Sequence, residues 1–107
     1  MKFEYSPEQN EKMLKICIFH EDKHGLEKQV DHTIKELKEL AEELLPKVSD
    51  DAWVYDKFKI FSEMFDVEFM IFQLKQIMMK DDKDIIYFNK IVDNKLEREL
   101  FRWGLDK

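Results

Sequence analysis

Two acidic pairs in this chain share one spacing, Glu36-x-x-Glu39 and Glu63-x-x-Asp66. Residues three apart on a helix lie one above the other on the same side, so each pair presents two carboxylates together. The second pair falls inside Phe61-Ser62-Glu63-Met64-Phe65-Asp66-Val67-Glu68-Phe69-Met70-Ile71-Phe72, one of the most apolar stretches of the sequence. Carboxylates in such surroundings are costly unless something compensates them. A divalent cation compensates several at once. Oxygen-only donors select a hard ion, so Mg²⁺ is expected, with Mn²⁺ also possible. Mg²⁺ commonly completes its shell with substrate phosphates, which points to phosphate chemistry. The first pair sits in the charge-rich run Lys35-Glu36-Leu37-Lys38-Glu39, which a solvated helix face would also explain.

The elements that must hold these groups are helices. The chain has 107 residues, 44% hydrophobic and 39% charged, with 2 Gly and 2 Pro, and this scarcity of breakers predicts an all-α fold in a single domain, residues 1–107. Ser6-Pro7-Glu8 reads as N-cap, first helical position and acidic first turn. A first helix then runs to about His24, where Gly25 stops it. A second spans about Leu26 to Leu45, with Val30, Ile34, Leu37, Leu40, Ala41, Leu44 and Leu45 recurring at helical spacing, and Pro46 ends it. Ser49-Asp50-Asp51 can cap a third, reaching to about Lys80, whose first turns at Ala52 to Asp56 form a separate short piece. Asp81-Asp82-Lys83-Asp84 is a polar break before a last helix from about Asp84 to Trp103. The expected architecture is a four- to five-helix bundle. Its second and third helices pack antiparallel, which brings the two acidic pairs to the same level.

The third helix is apolar on more than one face, through Trp53, Phe58, Phe61, Phe65, Phe69, Phe72, Leu74, Ile77 and Met78. A helix apolar nearly all round is buried nearly all round, so a homo-oligomer, dimer or tetramer, is expected in preference to a monomer with an exposed sticky face. The single cysteine, Cys17, among Ile16, Ile18 and Phe19, reads as a core residue and fits a reducing, cytoplasmic setting. Neither a signal peptide nor a membrane span is legible. The net charge of −6 disfavours nucleic-acid polymers as partners, while a phosphate-bearing small molecule held through a metal or a local cluster of Lys and Arg stays open.

His20-Glu21-Asp22-Lys23-His24 spells H-E-x-x-H, the signature of zinc peptidases. Charged residues between Glu21 and His24, the stop at Gly25 and the short chain count against that chemistry. A polar helix end, with a histidine near the C-terminal dipole, is the simpler reading.

Four stretches together resemble a known family. They are His24-Gly25-Leu26-Glu27-Lys28-Gln29-Val30, Ile34-Lys35-Glu36-Leu37-Lys38-Glu39-Leu40, Glu63-Met64-Phe65-Asp66-Val67-Glu68 and Lys95-Leu96-Glu97-Arg98. In this order they look like the MazG-like nucleoside triphosphate pyrophosphohydrolases, especially the short phage and bacterial members, over roughly residues 23–103. The family pattern is EExxE on one helix and ExxD on the next. Lys35 stands at the first Glu, and Glu97 where relatives often carry Asn. The resemblance implies the family's all-α bundle and Mg²⁺ held by Glu36, Glu39, Glu63 and Asp66. It puts Gln29 near the substrate and Lys95 and Arg98 toward triphosphate oxygens. The implied reaction cleaves a nucleoside triphosphate between its α- and β-phosphates, with Glu36 or Glu39 taking a proton from the attacking water. The alternative is a non-catalytic helical module that binds nucleotide or protein with the same fold; Lys35 and Glu97 are its support.

Overall fold

The computed structural model describes residues 2–45 and 57–107, and every regular element among them is helical. Helix α1 spans Pro7–Leu44, α2 Lys57–Met78 and α3 Asp82–Arg102. No described helix is long and apolar enough to cross a membrane. The chain divides into two units, Met1–Ile77 and Met78–Lys107. The expected stop at Pro46, caps at Ser49-Asp50-Asp51, short piece at Ala52 to Asp56 and buried Trp53 lie outside the described residues.

In the first unit, α1 begins as its sequence dictates. The Ser6 hydroxyl accepts the Gln9 N–H at 3.0 Å, and the Gln9 side chain accepts the Ser6 N–H at 2.8 Å, with Pro7 at the first helical position. The helix is interrupted at Gly25, whose φ of 74° and ψ of 178° suit glycine and almost nothing else. A Cβ at Gly25 would meet nothing within 4 Å, so the requirement is the backbone itself and not space. The bend gives α1 two halves that meet α2 in opposite senses. Before it, Tyr5 meets Phe65 and Glu68, and Met13 shares a cavity with Ile71, Phe72 and Lys75, so numbering rises together. After it, Gln29 meets Met70 while Glu43 meets Lys59, so numbering runs in opposition. The expected separation into two helices at Gly25, and the antiparallel packing of the second against α2, are both realised.

What this unit buries is narrow. Met13, Cys17, Ile60 and Val67 form its apolar interior, joined by Gln29, Thr33 and Gln73. The Thr33 hydroxyl donates to the Gln29 carbonyl at 2.8 Å, one turn back along α1. Burial pushes the Cys17 thiol up to about 11, an inert core thiol as its apolar neighbours suggest. The apolar surplus of α2 is visible as exposed Phe58, Phe61, Met64, Phe65 and Ile71. Phe3, Tyr5, Phe61, Met64, Phe65 and Glu68 line a cavity of about 550 Å³ between the N-terminal segment and α2. There the Tyr5 hydroxyl donates to Glu68, and burial together with that carboxylate pushes the phenol up to about 12.

In the second unit, α3 starts earlier than the sequence suggests. Asp81 is its N-cap, accepting the Asp84 N–H at 3.0 Å, and Asp82 and Asp84 form an acidic first turn. The run Asp81-Asp82-Lys83-Asp84 is thus mostly helix and not a break, because its first carboxylate satisfies a backbone donor. The other end closes through Gly104, at φ 69°, with the Leu105 N–H reaching the Leu100 carbonyl at 2.8 Å.

Candidate metal centre

Three carboxylates converge between the second half of α1 and the antiparallel α2. Glu36 and Glu39 stand one turn apart on α1, and Glu63 faces them from α2; one oxygen of each lies within 4.8 Å of the others. All three are half-buried. Glu36 Oε2 and Glu63 Oε2 are shielded from solvent and have no hydrogen-bond partner. Shielded, unpartnered carboxylate oxygens are rare because each forfeits its hydration for nothing.

The electrostatics follow from this crowding. The Glu36 carboxyl is raised above its ordinary value by burial first, then by Glu39, Asp66 and Glu63. Glu63 is raised by burial first, then by Glu39, Asp66 and Glu43, with Lys59 opposing. Asp66 is outside the tight trio but acts on both members that carry the orphaned oxygens. The donor set is oxygen only, compact and short of positive charge, and it fits a hard divalent cation. Those same residues would hold it: Glu36, Glu39 and Glu63 directly, with Asp66 beside them.

Two participants escape a reading of motifs. Glu43 continues the α1 face one turn beyond Glu39, and Lys59 precedes Glu63 by one turn on α2. Their side chains meet at 3.0 Å, closing one end of the cluster with an ion pair. The available signal was the i, i+4 step from Glu39 to Glu43, hidden in an acidic run that a solvated face also explains.

The remaining expected site residues fall elsewhere. Gln29 is buried on α1, two turns before Glu36, and donates to the Met70 carbonyl at 3.4 Å. Lys95 and Arg98 are exposed on one side of α3, in the second unit. Lys35 is exposed. His20 and His24 of the H-E-x-x-H run stack with ring centroids 5.3 Å apart. Among the described residues, no histidine belongs to a group of three or more His, Cys, Asp or Glu whose ligand atoms lie within 4.8 Å of one another; the carboxylate trio is the group found. Comparison of the chain with protein-family models, with curated proteins and with solved structures finds no match.

Proposed function

We propose that this protein is a Mg²⁺-dependent nucleoside triphosphate pyrophosphohydrolase, converting an NTP or dNTP and water to the monophosphate and pyrophosphate. The observation that carries the reading is the pair of shielded, unpartnered oxygens on Glu36 and Glu63 within a three-carboxylate cluster. Its other support is the resemblance in residues, EExxE-like and ExxD-like, at the two helices that form the cluster. A bound Mg²⁺ supplies charge to offset phosphate oxygens and to acidify a water. Glu36, Glu39 and Glu63 would hold the ion, with Asp66 beside them. Glu36 or Glu39 accepts the proton of the attacking water.

The same reading makes the working protein a homodimer or homotetramer built as a four- to five-helix bundle. It is supported by the apolar side chains left exposed on both helices of the first unit, among them Ile34 and Leu37 on α1 and Phe58 and Phe61 on α2. The deciding experiment is a panel of NTPs and dNTPs with Mg²⁺ or Mn²⁺, read by pyrophosphate release. Release from at least one nucleotide is expected, lost in Glu63→Ala and Asp66→Ala. No release across the full panel would overturn the activity.

A further inference from the structure

The bend at Gly25 gathers a second set of groups that the carboxylate chemistry does not use. His20 and His24 lie before it, Lys28, Gln29 and His32 after it, and together they line one cavity. Met70 and Gln73 of α2 complete its wall, and neither carries charge. The cavity is about 50 Å³. At ~30 Å³ per water this is room for one or two waters or one compact oxyanion, and too little for a nucleobase. Gln29 and Gln73 in its wall are buried, only 6% and 3% exposed, while His20 is half-buried and His24, Lys28 and His32 stand exposed at its mouth. Every ionisable group on it is a base.

The electrostatic signature agrees with that inventory. His24 holds its proton less readily than an ordinary histidine, through desolvation first and then through Lys28, His20, His32 and Lys23. Such mutual repulsion marks a place where an anion is welcome. The position is equally telling. Lys28, His32 and Glu36 succeed one another at four-residue steps on the second half of α1. At ~1.5 Å per residue, His32 stands about 6 Å and Lys28 about 12 Å along the axis from Glu36.

We propose that this basic pocket is the subsite for the phosphate group most distal to the nucleoside, so that a triphosphate lies along α1 with its terminal phosphate toward the Gly25 bend. The inference rests on the phosphohydrolase reading for the identity of the substrate, and adds to it an orientation and a set of cations on α1 itself. Lys28 contributes a fixed charge, the imidazoles N–H donors, and the Gln29 and Gln73 carboxamides a neutral polar wall. Leaving pyrophosphate would be held there by its terminal phosphate after cleavage.

The test is a titration of the full-length protein with inorganic pyrophosphate in EDTA, following the imidazole signals of its 3 histidines by NMR. Saturable shifts are expected, with a nucleoside monophosphate at least roughly tenfold weaker because it lacks the distal groups. Lys28→Glu should weaken pyrophosphate roughly tenfold or more, and His32→Gln should weaken it as well, both with unchanged helical circular dichroism. Unmoved imidazoles, equal binding of the monophosphate, or variants that bind like wild type would overturn the subsite. These measurements contain neither divalent metal nor triphosphate. Pyrophosphate binding without turnover of any nucleotide would therefore remove the activity alone, and turnover without pyrophosphate binding at the imidazoles would remove the subsite alone.

Discussion

Glu63 concentrates the chemistry and the cost of the site in one side chain. Its shielded oxygen has no partner, and burial first, then Glu39, Asp66 and Glu43, raise its proton affinity. An acid whose folded pKa is raised binds more protons folded than unfolded, so its contribution to stability falls as pH rises. The penalty is full above the raised folded pKa and fades as pH falls through it toward the ordinary value of 4.5. Glu63→Gln should therefore raise the melting temperature of the metal-free protein at pH 7, and this gain should shrink in scans toward pH 4.5. A constant difference between the two proteins across that range would contradict the crowding argument. Mg²⁺ should reverse the ranking. At about 100 times its Kd, it stabilises a native binding site by about 2.7 kcal/mol, a shift expected in wild type and absent in Glu63→Gln. Calorimetric scans with and without Mg²⁺ measure both effects. The pair Glu63 and Asp66 was legible in the sequence because carboxylates among aromatics are conspicuous. The ion pair of Glu43 with Lys59 was not, because both belong to charged runs that read as solvated surface.

At the scale of elements, the Gly25 bend decides what meets what. It turns one 38-residue helix into two halves that both pack on α2, and it forms the basic pocket on its inner side. Gly25→Ala has no steric obstacle but must adopt a backbone conformation that costs about 1–3 kcal/mol for a residue with a Cβ. Urea denaturation should register that loss, and a stability equal to wild type would mean that the bend relaxes. A smaller effect belongs to the start of α1. Ser6→Ala removes the hydroxyl that accepts the Gln9 N–H and should cost about 1 kcal/mol in the same assay. Both features were legible, since capping residues and glycines act locally. The start of α3 was misjudged by two residues for the same kind of reason: an aspartate in a polar run serves equally as break or cap, and only the hydrogen bond to the Asp84 N–H distinguishes them.

For the whole molecule, the consequence of α2 is a surface that its own unit leaves partly uncovered. Phe58 is 82% exposed and Phe61 50% exposed, although both belong to an apolar helix beside the acidic cluster. Light scattering at micromolar concentration should give a dimer or tetramer mass, and Phe58→Glu should shift it toward the monomer. A monomer mass for wild type would count against that interface and leave the rings as an exposed apolar face. Apolar periodicity made the surplus legible in the sequence, because more faces carried large side chains than a chain of this size can cover from within.

By itself, the sequence determined the helical class, the bend at Gly25, the cap at Ser6 and the identity of the acids, because each depends on residue type and spacing along a few turns. The tertiary structure decided which of those acids actually converge. Glu36 and Glu39 become half-buried neighbours of Glu63 only because α2 returns antiparallel at that level, while Asp66 stays at the margin of the trio. It also turned three histidines and a lysine, unremarked as a group in the sequence, into one pocket by folding α1 back on itself. Through-space proximity between segments is set by packing, which no local pattern encodes.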